Sequence, residues 1–184
     1  MSKKACVFLA NGFEEIEGLT VVDLLRRAEV EVTTVSITKD KVIHGAHQID
    51  VVADALFEEM SYEDQDMLVL PGGMPGTIHL GEHAGLKELL EEFYAKEKYI
   101  GAICAAPSVL GRYGFLNGRR ATAYPGFEEK LLGAECVKEP VVVSDFMITS
   151  RGMGTAIDFA LALIEKLEGK EKADQIGKSI IYYQ

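Results

Sequence analysis

Short unbroken apolar runs alternate along this chain with stretches whose apolar residues recur at helical spacing. Ala5 to Leu9 carries no polar alternation, which predicts a strand buried on both faces. Asn11-Gly12-Phe13 then turns the chain into a helix expected from Glu14 to Ala28, followed by a strand from Val30 to Ile37 and a small hairpin from Val42 to Val52 around Gly45. Asp66 to Leu70 is another buried strand, stopped by Pro71-Gly72-Gly73. Leu86, Leu89, Leu90 and Phe93 form one helical stripe, and Tyr99 to Ile103 is the next strand, after which a helix runs to about Tyr113-Gly114. Further on come Arg120 to Ala123, a short helix near Glu128 to Leu132, and an antiparallel pair, Val141–Val143 with Phe146–Ile148, turning at Ser144-Asp145. Thr155 is placed to cap a long helix with Ile157, Ala160, Leu161, Ile164 and Leu167 on its buried stripe and Gly169 at its close. A last short helix carries Ile176, Ile180 and Ile181. Strands alternating with helices from end to end predict an α/β domain with a mostly parallel sheet, spanning residues 1–184 as a single unit.

Composition narrows the function. A chain of 184 residues, 48% hydrophobic, has enough material for one sizeable core, and no linker or low-complexity run divides it. The net charge of −10 argues against nucleic-acid binding, which needs clustered basic residues, and the Arg26-Arg27 and Arg119-Arg120 pairs read as solvated or interface charges. Cys6, Cys104 and Cys136 are too far apart for a zinc site or disulfide scaffold, so a reducing cytoplasm fits. Met1-Ser2-Lys3-Lys4 leads straight into the first strand, without the apolar region of a signal peptide, and no stretch has membrane-spanning length, so no membrane partner is expected. His44 and His47 flank the hairpin turn, and His79 and His83 lie in a polar loop and at a helix start. His79 and His83 have metal-pair spacing but no further ligand cluster beside them, and no metal is predicted.

In an open doubly wound sheet, a site belongs at the carboxyl ends of the central strands. Three loops lie there: Asn11 to Glu17, Pro71 to Thr77 and Cys104 to Pro107. Cys104 sits on a tight strand-to-helix turn beside free helix N–H groups, which favour a thiolate and hence a nucleophile or redox sensor. An isolated cysteine can equally be a small buried apolar residue. Glu17 shares a helix face with Val21, Leu24 and Ala28, which places a carboxyl toward the interior, whereas Glu14 and Glu15 are accounted for by the first-turn preference for negative charge. A carboxyl so placed is either accommodated at a helix edge or held protonated by burial. Gly72-Gly73 lets backbone N–H groups approach a reacting atom, and the amide of Ala105 is the natural second oxyanion donor. No nucleotide fingerprint is present.

Four segments in this order, Leu9-Ala10-Asn11-Gly12-Phe13-Glu14-Glu15-Ile16-Glu17, Val69-Leu70-Pro71-Gly72-Gly73, Ala102-Ile103-Cys104-Ala105-Ala106-Pro107 and Thr149-Ser150-Arg151-Gly152-Met153-Gly154-Thr155, resemble the ThiJ/PfpI superfamily over essentially the whole chain. The branch is that of the parkinsonism-associated protein deglycase and its bacterial relatives. The resemblance implies a flavodoxin-like α/β sandwich, a homodimer, Cys104 as nucleophile and redox sensor, Glu17 as its protonated hydrogen-bond partner, and Gly73 and Ala105 at the oxyanion positions. Gly72, Tyr124, Arg151 and Met153 would line the rim. Two departures stand out: Tyr124 occupies a position where the animal deglycase has a histidine, and Met153 replaces a proline. The implied activity is cofactor-independent detoxification of α-oxoaldehydes such as methylglyoxal, free or as glycated thiols and amines, in an oxidative-stress setting. The alternatives are a redox-sensing stress protein or chaperone without turnover and, by family label only, a role in thiazole monophosphate biosynthesis.

Overall fold

In the computed structural model, which describes residues 2–182, the chain forms β1 (Lys4–Leu9), α1 (Glu15–Arg27), β2 (Glu31–Ser36), the hairpin β3 (Val42–His44) and β4 (Asp50–Val52), and β5 (Ala55–Leu56). Then follow β6 (Met67–Leu70), α2 (Gly76–Glu82), α3 (Ala84–Ala95), β7 (Tyr99–Ile103), α4 (Pro107–Arg112), the short pair β8 (Arg120–Ala121) and β9 (Glu135–Cys136), β10 (Val141–Ser144), β11 (Met147–Ser150), α5 (Ala156–Glu168) and α6 (Lys170–Ser179). Met1, read from the sequence as the lead into the first strand, lies outside the described residues.

Seven strands make the main sheet in the order β10-β11-β7-β6-β1-β2-β5. All neighbours are parallel except the edge pair β10 and β11, which run antiparallel. The period-two side-chain alternation of a strand explains the unbroken apolar runs. Ala5, Val7 and Leu9 of β1 join Met67 and Val69 of β6 in a core under α1, α5 and α6, while Cys6, Phe8, Leu68 and Leu70 face the opposite core under α3 and α4. Both faces are therefore covered, as a mixed α/β sandwich with a mostly parallel sheet requires. Strand order reverses at β1 and β6, and the three loops singled out from the sequence leave the carboxyl ends of β1, β6 and β7.

Several local expectations are corrected. The segment around His79, read as polar loop, is helix α2, with Thr77 and Leu80 buried. The Thr155 hydroxyl does not cap α5; it donates back to the Gly152 carbonyl (2.9 Å) and meets the Ser150 hydroxyl (2.7 Å). Phe159 and Leu163 are buried on α5 where Ile157 is only half-buried. Ile181 lies beyond α6 at positive φ and is 81% exposed, so it takes no part in that helix's apolar face. Arg119 is not a solvated charge: its guanidinium packs over Tyr94 and Phe146, 5.5 and 5.1 Å from the ring centroids, and its partner charge is Asp145.

Candidate active site

Cys104 follows β7 directly and has φ +65, a left-handed conformation that costs a non-glycine residue about 1–3 kcal/mol and persists only where the surroundings fix it. They do so through the backbone. The Cys104 N–H donates to the Ser150 carbonyl at the end of β11, and its own carbonyl accepts from Tyr124 N–H, both at 2.9 Å. The turn thus lifts the thiol out of the sheet, half-buried, toward the loop after β6.

That loop is built by glycines for close approach. A side chain on Gly72 would place its Cβ 2.6 Å from both the Cβ of Cys104 and Oε2 of Glu17. Gly73, at φ +91, packs against the backbone of Gly12 to Glu14, where no other residue fits. With that room, the N–H groups of Gly73 and Ala105 both reach Sγ of Cys104. These are the two donors expected of an oxyanion hole.

Glu17 comes from the first turn of α1, on the buried face shared with Val21, Leu24 and Ala28, and is 1% exposed. Its carboxylate accepts from Gly72 N–H at 2.9 Å and hydrogen-bonds Cys104. Burial pushes its carboxyl from the ordinary 4.5 up to about 7, against the hydrogen bonds from Cys104 and Gly72 that pull it down. Cys104 is pushed from 9.0 up to about 12, first by burial, then by the charge of Glu17 and the hydrogen bond to it; the amides of Ala105 and Gly73 act the other way. The two groups therefore behave as one acid that gives up a single proton near neutrality and holds the second. The expectation that helix-end amides alone favour the thiolate is corrected here. They do pull the thiol down, but burial and an ionised Glu17 outweigh them. When the remaining proton sits on Glu17, the carboxyl becomes a donor, and the two amides are left to hold charge on sulfur.

Of the rim residues, Gly72 belongs to the centre. Tyr124 is 50% exposed; its ring lies against Gly152, where an added Cβ would be 3.2 Å from the ring and 3.9 Å from Oε1 of Glu17. Among the described residues, no hydrogen bond joins Arg151 or Met153 to Cys104 or Glu17. Arg151 bonds Pro140 through its backbone, and Met153 is 51% exposed.

Sequence reasoning missed Glu15. It is 3% exposed, and its carboxylate accepts from the His47 backbone N–H (2.6 Å) and meets the His47 ring nitrogen (2.9 Å), with Glu14 3.5 Å from the same nitrogen. Burial pushes the Glu15 carboxyl up, but the hydrogen bonds from His47 and neighbouring amides prevail and leave it below its ordinary value; the same contact raises His47. A carboxyl at a first-turn position next to an exposed Ile16 gives no sequence signal that a hairpin 32 residues away will cover it. The contact docks the hairpin β3 and β4 onto the loop that carries α1, and Gly12 N–H to the His44 carbonyl (2.7 Å) completes the join.

Residues 3–166 match the family described as the DJ-1/PfpI family. Protein dj-1beta of Drosophila melanogaster is 37% identical over 183 residues, covering 98% of both chains. A protein of Schizosaccharomyces pombe named glutathione-independent glyoxalase DJ-1 is 30% identical, covering 96% of this chain and 97% of its own. The solved structure of Toxoplasma gondii DJ-1, oxidized, superposes with a TM-score of 0.95 at 37% identity and full coverage of both chains.

Proposed function

The chain belongs to the DJ-1/PfpI family, and from that premise and the Cys104–Glu17 pair we propose that it converts α-oxoaldehydes such as methylglyoxal to 2-hydroxy acids without glutathione, as a cytoplasmic homodimer. The observation that carries the reading is the half-buried sulfur held between two backbone N–H donors and a carboxyl that titrates near neutrality. The Cys104 thiolate forms an S–C bond to the aldehyde carbon, and the carbonyl electron pair moves onto oxygen, where the Gly73 and Ala105 amides receive it. Glu17, which holds the pair's remaining proton while sulfur is the thiolate, protonates that oxygen to give the hemithioacetal and is left as carboxylate. Glu17, as carboxylate, removes the proton on the former aldehyde carbon and returns it to the adjacent ketone carbon. As the hydroxyl proton on the first carbon's oxygen passes to the oxygen of the second, the first carbon is oxidised to a thioester and the second reduced to an alcohol, so the redox change closes within the substrate. Water then cleaves the thioester to lactate and restores Cys104. Glycated thiols and amines enter at the same hemithioacetal stage by losing their carrier. A relative named as a glyoxalase supports this reading.

The dimer is supported by an apolar surface on α1 and the hairpin: Ile16, Leu19 and Ile49 stay 51, 37 and 53% exposed and together line one hollow. A second reading, redox sensing, is supported by the same donors. The amides and a protonated Glu17 suit the oxygens of a Cys104 sulfinate as well as an alkoxide.

The experiment is conversion of methylglyoxal to lactate without glutathione, before and after mild peroxide. Turnover that Glu17→Gln lowers by about 10²-fold, as lost acid-base assistance does, supports the enzyme. Absent turnover with ready oxidation of Cys104 leaves the sensor.

A further inference from the structure

Resting on the reading of Cys104 as an aldehyde-binding nucleophile, we propose that the cavity of about 400 Å³ walled by Met74, Ile78, Val109, Phe127 and Leu132 is a subsite for the substrate's substituent. It selects oxoaldehydes carrying a bulky apolar group, such as an aryl ring, over methylglyoxal.

The cavity wall adjoins the oxyanion donors through Met74 and Ser108. Met74 follows Gly73, whose N–H faces Sγ of Cys104. Ser108, also in the lining, donates from Oγ to the carbonyl of Ala105 at 2.6 Å, and Ala105 supplies the second N–H. An aldehyde carbon bonded to sulfur with its oxygen on those two amides has one substituent left besides hydrogen. The apolar space lined by Met74 and Ser108, next in the wall to those donors, is the place for it.

Volume and lining set the chemical class. Cavities of roughly 300–1,000 Å³ hold whole small ligands, and the acetyl group of methylglyoxal fills only a small part of 400 Å³. Met74, Ile78 and Leu132 remain 47, 45 and 59% exposed around a common hollow, where an aryl ring would remove their surfaces from water. The cations at the rim are already engaged. Arg112 is bonded to the Gly81 carbonyl, and the Lys130 ammonium sits 4.4 Å over the Phe127 ring, so the lining asks for an apolar rather than an anionic group.

The test compares kcat/KM for phenylglyoxal and methylglyoxal in the wild type and in Ile78→Ala, Leu132→Ala and the double variant. We expect the wild type to favour phenylglyoxal by at least about tenfold, and the ratio to fall by about tenfold in the double variant, the discrimination a hydrophobic pocket typically supplies. A ratio that stays fixed while methylglyoxal is turned over overturns the subsite and leaves the glyoxalase reading standing. Should neither aldehyde be turned over, the glyoxalase reading fails by itself, and the cavity is decided by product binding to Cys104→Ser protein. Mandelate, but not lactate, should then shift the methyl resonances of Ile78 and Leu132; no shift with mandelate overturns the subsite.

Discussion

Replacing Glu17 by glutamine should stabilise the protein at alkaline pH and leave it nearly unchanged in acid. Glu17 is held at about 7 in the folded chain against 4.5 when exposed. Between those values the folded state binds more protons than the unfolded one, so the free energy of unfolding falls as pH rises from 4.5 through 7. At about 1.4 kcal/mol per pKa unit, the loss totals about 3 kcal/mol, complete above pH 7 and absent below 4.5. Glutamine carries no proton to lose, yet its amide oxygen can still accept from Gly72 N–H and its amide nitrogen can still donate to Sγ. The variant should therefore exceed the wild type by about 3 kcal/mol at pH 8 and match it near pH 4.5. The assay is urea unfolding at both pH values, reading the midpoint at constant m. In thermal unfolding at pH 8, the gain corresponds to about 6–12 °C for a chain of this size. Equal effects at the two pH values, or a loss at pH 8, would show that burial does not raise the Glu17 carboxyl and would refute the reasoning.

Gly72→Ala should cost about 1–3 kcal/mol and abolish aldehyde turnover, because the new Cβ meets Cys104 and Glu17 at 2.6 Å; unfolding and lactate formation measured together check both. Tyr124→Phe should lower turnover by less than about tenfold, since the ring packs at Gly152 and a phenol near pKa 10 makes a poor base at neutral pH; a loss as complete as that of Cys104→Ala would make the tyrosine a catalytic member. His47→Gln should destabilise the fold most around pH 5–6.5. Glu15 is lowered, so its contribution appears above 4.5, and His47 is raised, so its contribution is complete below 6.5 and fades as pH rises through its folded value. A stability difference that does not shrink by pH 9 would contradict that pairing.

The central strands β1 and β6 were legible because each buries both faces and so reads as an unbroken apolar run, over Ala5 to Leu9 and Met67 to Leu70. Helix α2 was not, because Gly76 and Gly81 break the helical pattern and its buried side is set by tertiary contact with the Gly12-Phe13 turn and with Val109 and Arg112 of α4. Cys104, Glu17, Gly72 and Gly73 were legible from their places at strand ends and on a helix face. What escaped was the balance between them. The amides that favour a thiolate are local and visible in the sequence, whereas burial and the nearby Glu17, which act against it, are tertiary. Glu15 escaped for the same reason: its partner His47 belongs to a hairpin that only the fold brings near.

The central claim is that Cys104 bonds covalently to the aldehyde, and intact-mass analysis of the protein quenched during methylglyoxal turnover tests it most directly. The account predicts an adduct of one methylglyoxal mass, located by peptide mapping to Cys104, accumulating more in Glu17→Gln than in the wild type and absent in Cys104→Ser, with lactate formation lost in that variant. Lactate produced by Cys104→Ser at the wild-type rate, or an adduct found on the exposed Cys136 with none on Cys104, would contradict it.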